Sequence, residues 1–257
     1  MITHLLAVLC GGLVGFSLAL TGGGGSTLAI PLLLYVVGLH DIHLAIGTSA
    51  LAVSLNAYIN LIPHARAGHV RWRAGIIFTV AGITGAFVGS EVGKGVNGQA
   101  LQALFAVLVI VVALLMLRRC KASEECEPND QAIKYINGRL SCVGLGAGAM
   151  AGFFGVGGGF LVVPGLMLAA RVKIIDAIGT SLLGVGGFGL ATAFNYARSD
   201  LIDWTLAGEF LFGGIVGGWL GAMLAQQLSV KNGVLNWIFS ALLITIGIYM
   251  LVKTVRL

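Results

Sequence analysis

The sequence predicts an all-α polytopic membrane protein with two inverted repeats of five helical segments each, broken or re-entrant at glycine-rich stretches. Three observations predict this class. The 257 residues are 58% hydrophobic and only 10% charged, whereas about a quarter of the residues of a soluble domain are charged. Two glycine-rich stretches interrupt apolar segments, and several other motifs recur at one fixed spacing.

Apolar runs such as 100–117 and 234–252 are long enough to cross a hydrocarbon core of roughly 30 Å. The 40 glycines fit this environment, because glycine lets membrane helices approach each other closely. We expect helical segments at 3–20, 27–38, 44–62, 73–92, 99–117, 137–154, 160–170, 175–196, 205–227 and 232–252.

Each of the two glycine-rich stretches is predicted to break a helix inside the membrane. Residues 155–164 read Gly-Val-Gly-Gly-Gly-Phe-Leu-Val-Val-Pro, and residues 22–31 read Gly-Gly-Gly-Gly-Ser-Thr-Leu-Ala-Ile-Pro. Glycine has the lowest helix propensity of the residues other than proline. The helix after the first break extends only about 18 Å, so it ends partway across. Interrupted segments at matching positions of two halves indicate a transporter binding site.

The two halves share more than the glycines. The motif Ile-Gly-Thr-Ser at 46–49 recurs at 178–181, and the same spacing relates Arg66 to Arg198 and Trp72 to Trp204. We therefore divide the chain into a first repeat (1–117), a cytoplasmic linker (118–136) and a second repeat (137–257).

Positive charges predict the orientation of the chain in the membrane. With five segments per repeat, equivalent loops fall on opposite sides, so the repeats are inverted. The predicted cytoplasmic face carries eleven cations and the opposite face four, which places both termini outside. The first set is Arg66, Arg71, Arg73, Arg118, Arg119, Lys121, Lys134, Arg139, Arg171, Lys173 and Lys231; the second is Lys94, Arg198, Lys253 and Arg256.

Several classes of function are not expected. The net charge of +5 comes from residues between apolar spans rather than from a basic stripe, so nucleic acid is not an expected partner. The Cys-x5-Cys spacing of Cys120 and Cys126 does not suit zinc, and we expect neither a metal nor a cofactor. An enzyme is not expected either, because the chain lacks a His-Glu-x-x-His motif, a Gly-x-Ser-x-Gly motif and paired intramembrane aspartates.

The glycine breaks, the paired Ile-Gly-Thr-Ser motifs and the turns Gly-His-Val-Arg-Trp (68–72) and Asp-Leu-Ile-Asp-Trp (200–204) resemble the sulfite exporter TauE/SafE family. The resemblance covers nearly the whole chain. It implies a multi-pass permease of the bacterial inner membrane for small sulfur-containing anions, such as sulfite or sulfonates including sulfoacetate. It also implies a homodimer.

The glycine breaks suit an anion, because a helix start offers unpaired N–H groups and the positive end of its dipole. Close helix packing is the structural alternative for these glycines. We expect side-chain contacts from the first break and backbone contacts from both. The candidate residues are Gly23, Gly24, Gly25, Ser26 and Thr27 in the first break and Gly157, Gly158 and Gly159 in the second.

Other polar residues of the apolar segments are candidates as well. The serine and threonine hydroxyls and the asparagine amides either contact the substrate or form hydrogen bonds within and between helices. The two arginines either line a vestibule or gate or lie at the membrane interface. Glu209 either carries a coupling proton or is an interfacial carboxylate. Asp176, beside the second motif, is expected in water. The substrate candidates are Thr48, Ser49, Thr180, Ser181, Asn56 and Asn195, and the vestibule candidates are Arg66 and Arg198.

The residues leave alternatives open. An anion channel would need a continuous pore, and an uptake permease for another small oxyanion or carboxylate would use the same N–H groups. A scaffold would not require breaks in both halves.

Overall fold

The computed structural model describes residues 2–22, 24–119, 133–155, 159–170, 172 and 174–228. Among the predicted features, Gly23, Gly157, Gly158, most of the linker and the segment 232–252 lie outside the described residues. Within the described residues the regular structure is helical throughout, as the sequence predicts. The helices are α1 (Ile2–Thr21), α2 (Ala29–Leu32), α3 (Ile42–Arg66), α4 (Trp72–Lys94), α5 (Gly98–Arg119), α6 (Ile133–Phe154), α7 (Gly159–Ala170), α8 (Ile174–Ala197) and α9 (Trp204–Leu228).

Five of these helices contain apolar stretches long enough to cross a membrane: 3–20 in α1, 42–66 in α3, 72–94 in α4, 175–197 in α8 and 204–223 in α9. Many large apolar side chains on them point outward, as a lipid environment requires. The predicted class of a polytopic helical membrane protein is therefore confirmed.

The first glycine stretch is followed by an irregular helix. A 3₁₀ turn (Gly24–Leu28) leads into the single turn of α2, and a π turn (Leu33–Val37) ends at Gly38 with a φ of 88°. The whole run is shorter than a membrane-spanning helix. The second stretch leads into α7, which is regular and 12 residues long.

The outer helices pack reciprocally between the two halves of the chain. Helix α1 packs along α9, and α6 packs along α4. Glycines allow both contacts: a Cβ at Gly15 would strike the carbonyl of Gly214, and a Cβ at Gly148 would strike the carbonyl of Gly82. Each pair therefore brings backbone directly against backbone.

Helices α3 and α8 lie at the centre of the molecule. They contact each other, α9 packs on α3, and α4 packs on α8. In the apolar stretch of α8, 72% is buried, and in that of α3, 67% is buried. In the other three membrane-spanning helices the buried share is 50% or less. The central pair also carries the two Ile-Gly-Thr-Ser motifs, so the polar residues of these motifs are held inside the protein.

Candidate functional site

Each glycine break turns directly against a central helix of the opposite half. Gly22 has a φ of 74° and Gly155 a φ of 67°, a backbone conformation that favours glycine. A Cβ on Gly22 would strike Ile178 at the start of α8, and a Cβ on Gly155 would strike Ile46 at the start of α3. The isoleucine of each repeated motif therefore covers the glycine turn of the other half.

The next two residues of each motif hold the start of a neighbouring helix. Gly47 leaves room for the carbonyl of Leu201, and Gly179 leaves room for the carbonyl of His69. The Thr48 hydroxyl accepts a hydrogen bond from the Asp203 N–H at 3.0 Å, just before α9. The Thr180 hydroxyl accepts one from the Arg71 N–H at 2.9 Å, just before α4.

The serines of the motifs bond to backbone carbonyls. The Ser49 hydroxyl donates to the Ile46 carbonyl at 3.0 Å, in the preceding turn of α3. The Ser181 hydroxyl lies 2.7 Å from the Ile178 carbonyl and 2.9 Å from the Gly22 carbonyl. Because a hydroxyl has one hydrogen, these two carbonyls share it. Ser181 thus joins α8 to the first glycine turn.

The first break packs against the helix that follows the second, because α7 contacts the 3₁₀ turn that begins at Gly24. Ser26 and Thr27 in this turn are each only 1% exposed, and each has a polar or electrostatic interaction. Gly25 lies against the backbone of α1 at Ser17 and Leu18. Gly159 is the first residue of α7. The described residues of the first break are therefore buried between α1 and α7.

Asn56 and Asn195 differ in their surroundings. Asn56 is 1% exposed and lies against Gly214 of α9, yet both its amide atoms lack a hydrogen-bond partner among the described residues. The Asn195 amide donates to the Ser90 hydroxyl at 2.7 Å and accepts from the Lys94 ammonium at 3.0 Å. Asn195 therefore links α8 to α4, whereas Asn56 has unused hydrogen-bonding capacity in the interior.

The remaining candidates lie at helix ends. Arg66 ends α3 and is exposed, and Arg198 follows α8 and is also exposed. Glu209 is paired with a residue that sequence reasoning missed: its Oε1 lies 2.7 Å from Nδ1 of His4 on α1. Its other oxygen is buried without a partner in the described chain. Nothing in the sequence links these two residues, which are 205 positions apart.

The expectation that Asp176 lies in water is wrong. Asp176 is 6% exposed, and its Oδ2 accepts from Nε and Nη2 of Arg71 at 2.8 Å each. His69 Nδ1 lies 3.7 Å from the other oxygen. Packing of the 69–71 turn against α8 shields the carboxylate, and the arginine offsets the cost of its burial. In the sequence Arg71 contributes to the charge bias and to the 68–72 turn motif, and neither predicts this ion pair.

The chain matches the family described as Sulfite exporter TauE/SafE over residues 7–250, nearly its whole length. The chain belongs to the sulfite exporter TauE/SafE family. The resemblance seen in its motifs is thereby confirmed.

Its relatives include a "Probable membrane transporter protein" of Xylella fastidiosa, 53% identical over 94% of this chain and 92% of the relative. More distant relatives are YdhB of Bacillus subtilis (26% identical; 87% of this chain and 91% of the relative covered) and MJ0441 of Methanocaldococcus jannaschii (26% identical; 96% and 94% covered), both called probable membrane transporter proteins. No solved structure matches the chain. Family and relatives together identify a membrane transporter.

Proposed function

We propose that this TauE/SafE protein exports a small sulfur-containing anion, such as sulfite or a sulfonate, across the bacterial inner membrane by alternating access. One observation carries the proposal: each glycine break is turned against a central helix of the opposite half, and the first break contacts the helix that follows the second. Helix starts at the breaks would offer N–H groups and positive dipole ends to the anion.

Asn56 supports a ligand site near the breaks. It lies seven residues after Ser49, which is about two turns further along the same face of α3. Its amide is buried without a partner in the described chain, and such groups call for an explanation by water, ligand or mechanism. We assign its N–H₂ group to the substrate, beside backbone N–H groups of the breaks.

The packing of the outer helices determines which helices would move together during the proposed transport. Because α1 is packed on α9 and α6 on α4, neither half of the sequence is free to rock as a unit. The moving units are the α1–α9 and α4–α6 pairs, each with parts of both halves, and they move relative to the central α3 and α8.

Outward transport follows from the charge of the substrate. An anion moves outward down an inside-negative potential, gaining about 2.3 kcal/mol per charge per 100 mV. Export therefore requires no coupled proton. The proposal keeps the predicted orientation, with both termini outside, and the predicted homodimer.

The first test is ligand-induced thermal stabilisation of the purified protein in detergent. Sulfite, sulfoacetate and thiosulfate are compared with sulfate and acetate, and we expect one sulfur anion to stabilise most. A ligand at 100 times its Kd adds about 2.7 kcal/mol. In Asn56→Leu we expect unchanged or raised stability, because an unpaired buried amide is removed, but no ligand shift.

Asn195→Leu is the contrasting variant. It removes two hydrogen bonds and should lower the melting temperature while keeping the ligand shift. The proposal fails if none of the sulfur anions stabilises the folded parent, or if Asn56→Leu keeps the full shift. The rate of sulfite flux into proteoliposomes distinguishes a carrier from a channel, because the rate through a carrier saturates as the sulfite concentration rises.

A further inference from the structure

The end of α3 and the end of α9 border a groove on the outer surface of the protein. It consists of two adjoining cavities of about 540 and 340 Å³, which share Ile59, Pro63 and Trp219 as walls. The rim is apolar and open: Trp219 is 66% exposed and Met223 53%. The groove therefore faces the hydrocarbon of the membrane rather than the interior of the transporter.

Two polar groups mark the groove at different depths. Asn60 lines the smaller cavity, is 3% exposed, and has an Nδ2 group with no acceptor in the described part of the chain. Arg66 lines the larger cavity, and no carboxylate lies within ion-pair distance of it among the described residues. Six residues of helix separate the two, or about 9 Å along the axis.

The equivalent positions in the second half of the chain do not hold an unpaired amide beside a proline. Asn60 corresponds to Thr192, whose hydroxyl donates to the Phe188 carbonyl. Pro63 corresponds to Asn195, which is bonded to Ser90 and Lys94. Both polar residues there have hydrogen-bond partners. The unpaired Asn60 amide and the apolar walls are therefore not a by-product of the duplicated fold.

We propose that this groove binds one anionic phospholipid, with the phosphate at Arg66, an ester carbonyl at the Asn60 amide and an acyl chain along Ile59, Pro63 and Trp219. The arginine lies on the predicted cytoplasmic face, where anionic lipid headgroups collect near basic residues. The ester carbonyls of a phospholipid lie deeper than its phosphate, which matches the order of Arg66 and Asn60 along α3.

A lipid fits this groove better than a free anion does. The walls are isoleucine, proline, tryptophan and methionine, so an anion that entered without a hydrocarbon chain would lose water and gain few polar contacts. A phospholipid buries its chain against these walls and leaves its charge at the arginine. The proposal is independent of the transported substrate.

Native mass spectrometry of the full chain in detergent tests the proposal, because one spectrum counts both bound lipids and copies of the chain. The probes are phosphatidylglycerol and phosphatidylcholine with identical acyl chains, and inorganic phosphate. We expect one phosphatidylglycerol to bind preferentially, and Arg66→Gln to weaken its binding about fivefold. Arg198→Gln, the equivalent change in the other half, should leave it unchanged.

Asn60→Leu tests the deeper contact with a side chain of the same branching and the same number of heavy atoms. The parent should prefer the ester-linked lipid over its ether-linked analogue, which lacks the carbonyl, and the variant should lose this preference.

Equal binding of both headgroups, equal weakening by Arg198→Gln, or no ester preference in the parent overturns the proposal. Binding of free phosphate with the same dependence on Arg66 would indicate a small-anion site, and loss of a dimer in Arg66→Gln would indicate a protein interface. Either outcome also rejects the lipid.

Discussion

At the scale of single residues, the Ile-Gly-Thr-Ser motif has a contact for each of its positions. The isoleucine covers a glycine turn, the glycine admits a carbonyl, the threonine caps a helix start and the serine bonds to a carbonyl of its own helix. The same set of contacts forms at 46–49 and at 178–181. The motif therefore acts as a joint between the two halves.

The threonine contact gives the first residue-scale prediction. Thr180→Val keeps the shape but removes the acceptor of the Arg71 N–H, and an unpaired buried donor costs about 1–3 kcal/mol. We expect a clearly lower melting temperature in detergent, restored by Thr180→Ser. Thr84→Val is the control, because the Thr84 hydroxyl is exposed and bonds only to the Ala81 carbonyl of its own helix. Equal effects of the two valine variants would contradict the assigned role.

Residue identities indicate a candidate region but do not predict its side-chain contacts. Glycine runs and the repeated motif are visible as letters, because backbone freedom and duplication leave a direct trace. The partners of Asp176 and Glu209 leave none, since Arg71 and His4 occupy positions whose equivalents in the other half are not the same residues. Nor does the sequence show that Asn56 is unpaired while Asn195 is bonded, because side-chain direction decides both.

At the scale of elements, glycine spacing sets how closely the helices pack. On α6, a Cβ at Gly148 would meet the carbonyl of Gly82, whereas a Cβ at Gly146 would meet nothing within 4 Å. Gly148→Ala should therefore separate α6 from α4 and lower stability by about 1–3 kcal/mol. Gly146→Ala should be neutral or stabilising, because alanine favours a helix over glycine.

Thermal unfolding of the two purified variants beside the parent measures this difference. Gly15→Ala extends the test to the other pair, where the new methyl group would meet the carbonyl of Gly214 on α9. Similar losses for Gly15→Ala and Gly148→Ala are expected from the reciprocal packing. If Gly148→Ala melts like Gly146→Ala, the close contact between α4 and α6 is not present in the folded protein.

Most element boundaries lie within two residues of the predicted ones. Helix α6 begins four residues before its predicted start, the segment predicted at 27–38 is an irregular run, and the end of α3 also differs. The third segment was expected to end at 62, before Pro63, but α3 continues to Arg66. Proline removes its own N–H, so the lost hydrogen bond belongs to the preceding turn, while its carbonyl still accepts from the Ala67 N–H at 3.0 Å. Proline near a helix end is therefore a weaker stop signal inside a membrane protein, where packing supports the last turn.

At the scale of the whole molecule, the packing is reciprocal but the charges are not. Arg71 reaches Asp176 from the start of α4, whereas the equivalent Asp203 caps its own helix through the N–H groups of Thr205 and Leu206. An ion pair thus joins the start of α4 to α8, whereas the equivalent carboxylate caps the start of α9.

The predicted inverted orientation of the two halves can be checked in cells. Ala67 and Ser199 occupy equivalent positions in exposed turns, and the charge bias places the first in the cytoplasm and the second outside. Single-cysteine variants Ala67→Cys and Ser199→Cys, in a chain whose four native cysteines are replaced by serine, are treated with a membrane-impermeant maleimide. We expect Ser199→Cys to react in intact cells and Ala67→Cys only after permeabilisation. Reaction of both from one side would make the repeats parallel, and reaction in the reverse order would keep them inverted but place both termini inside.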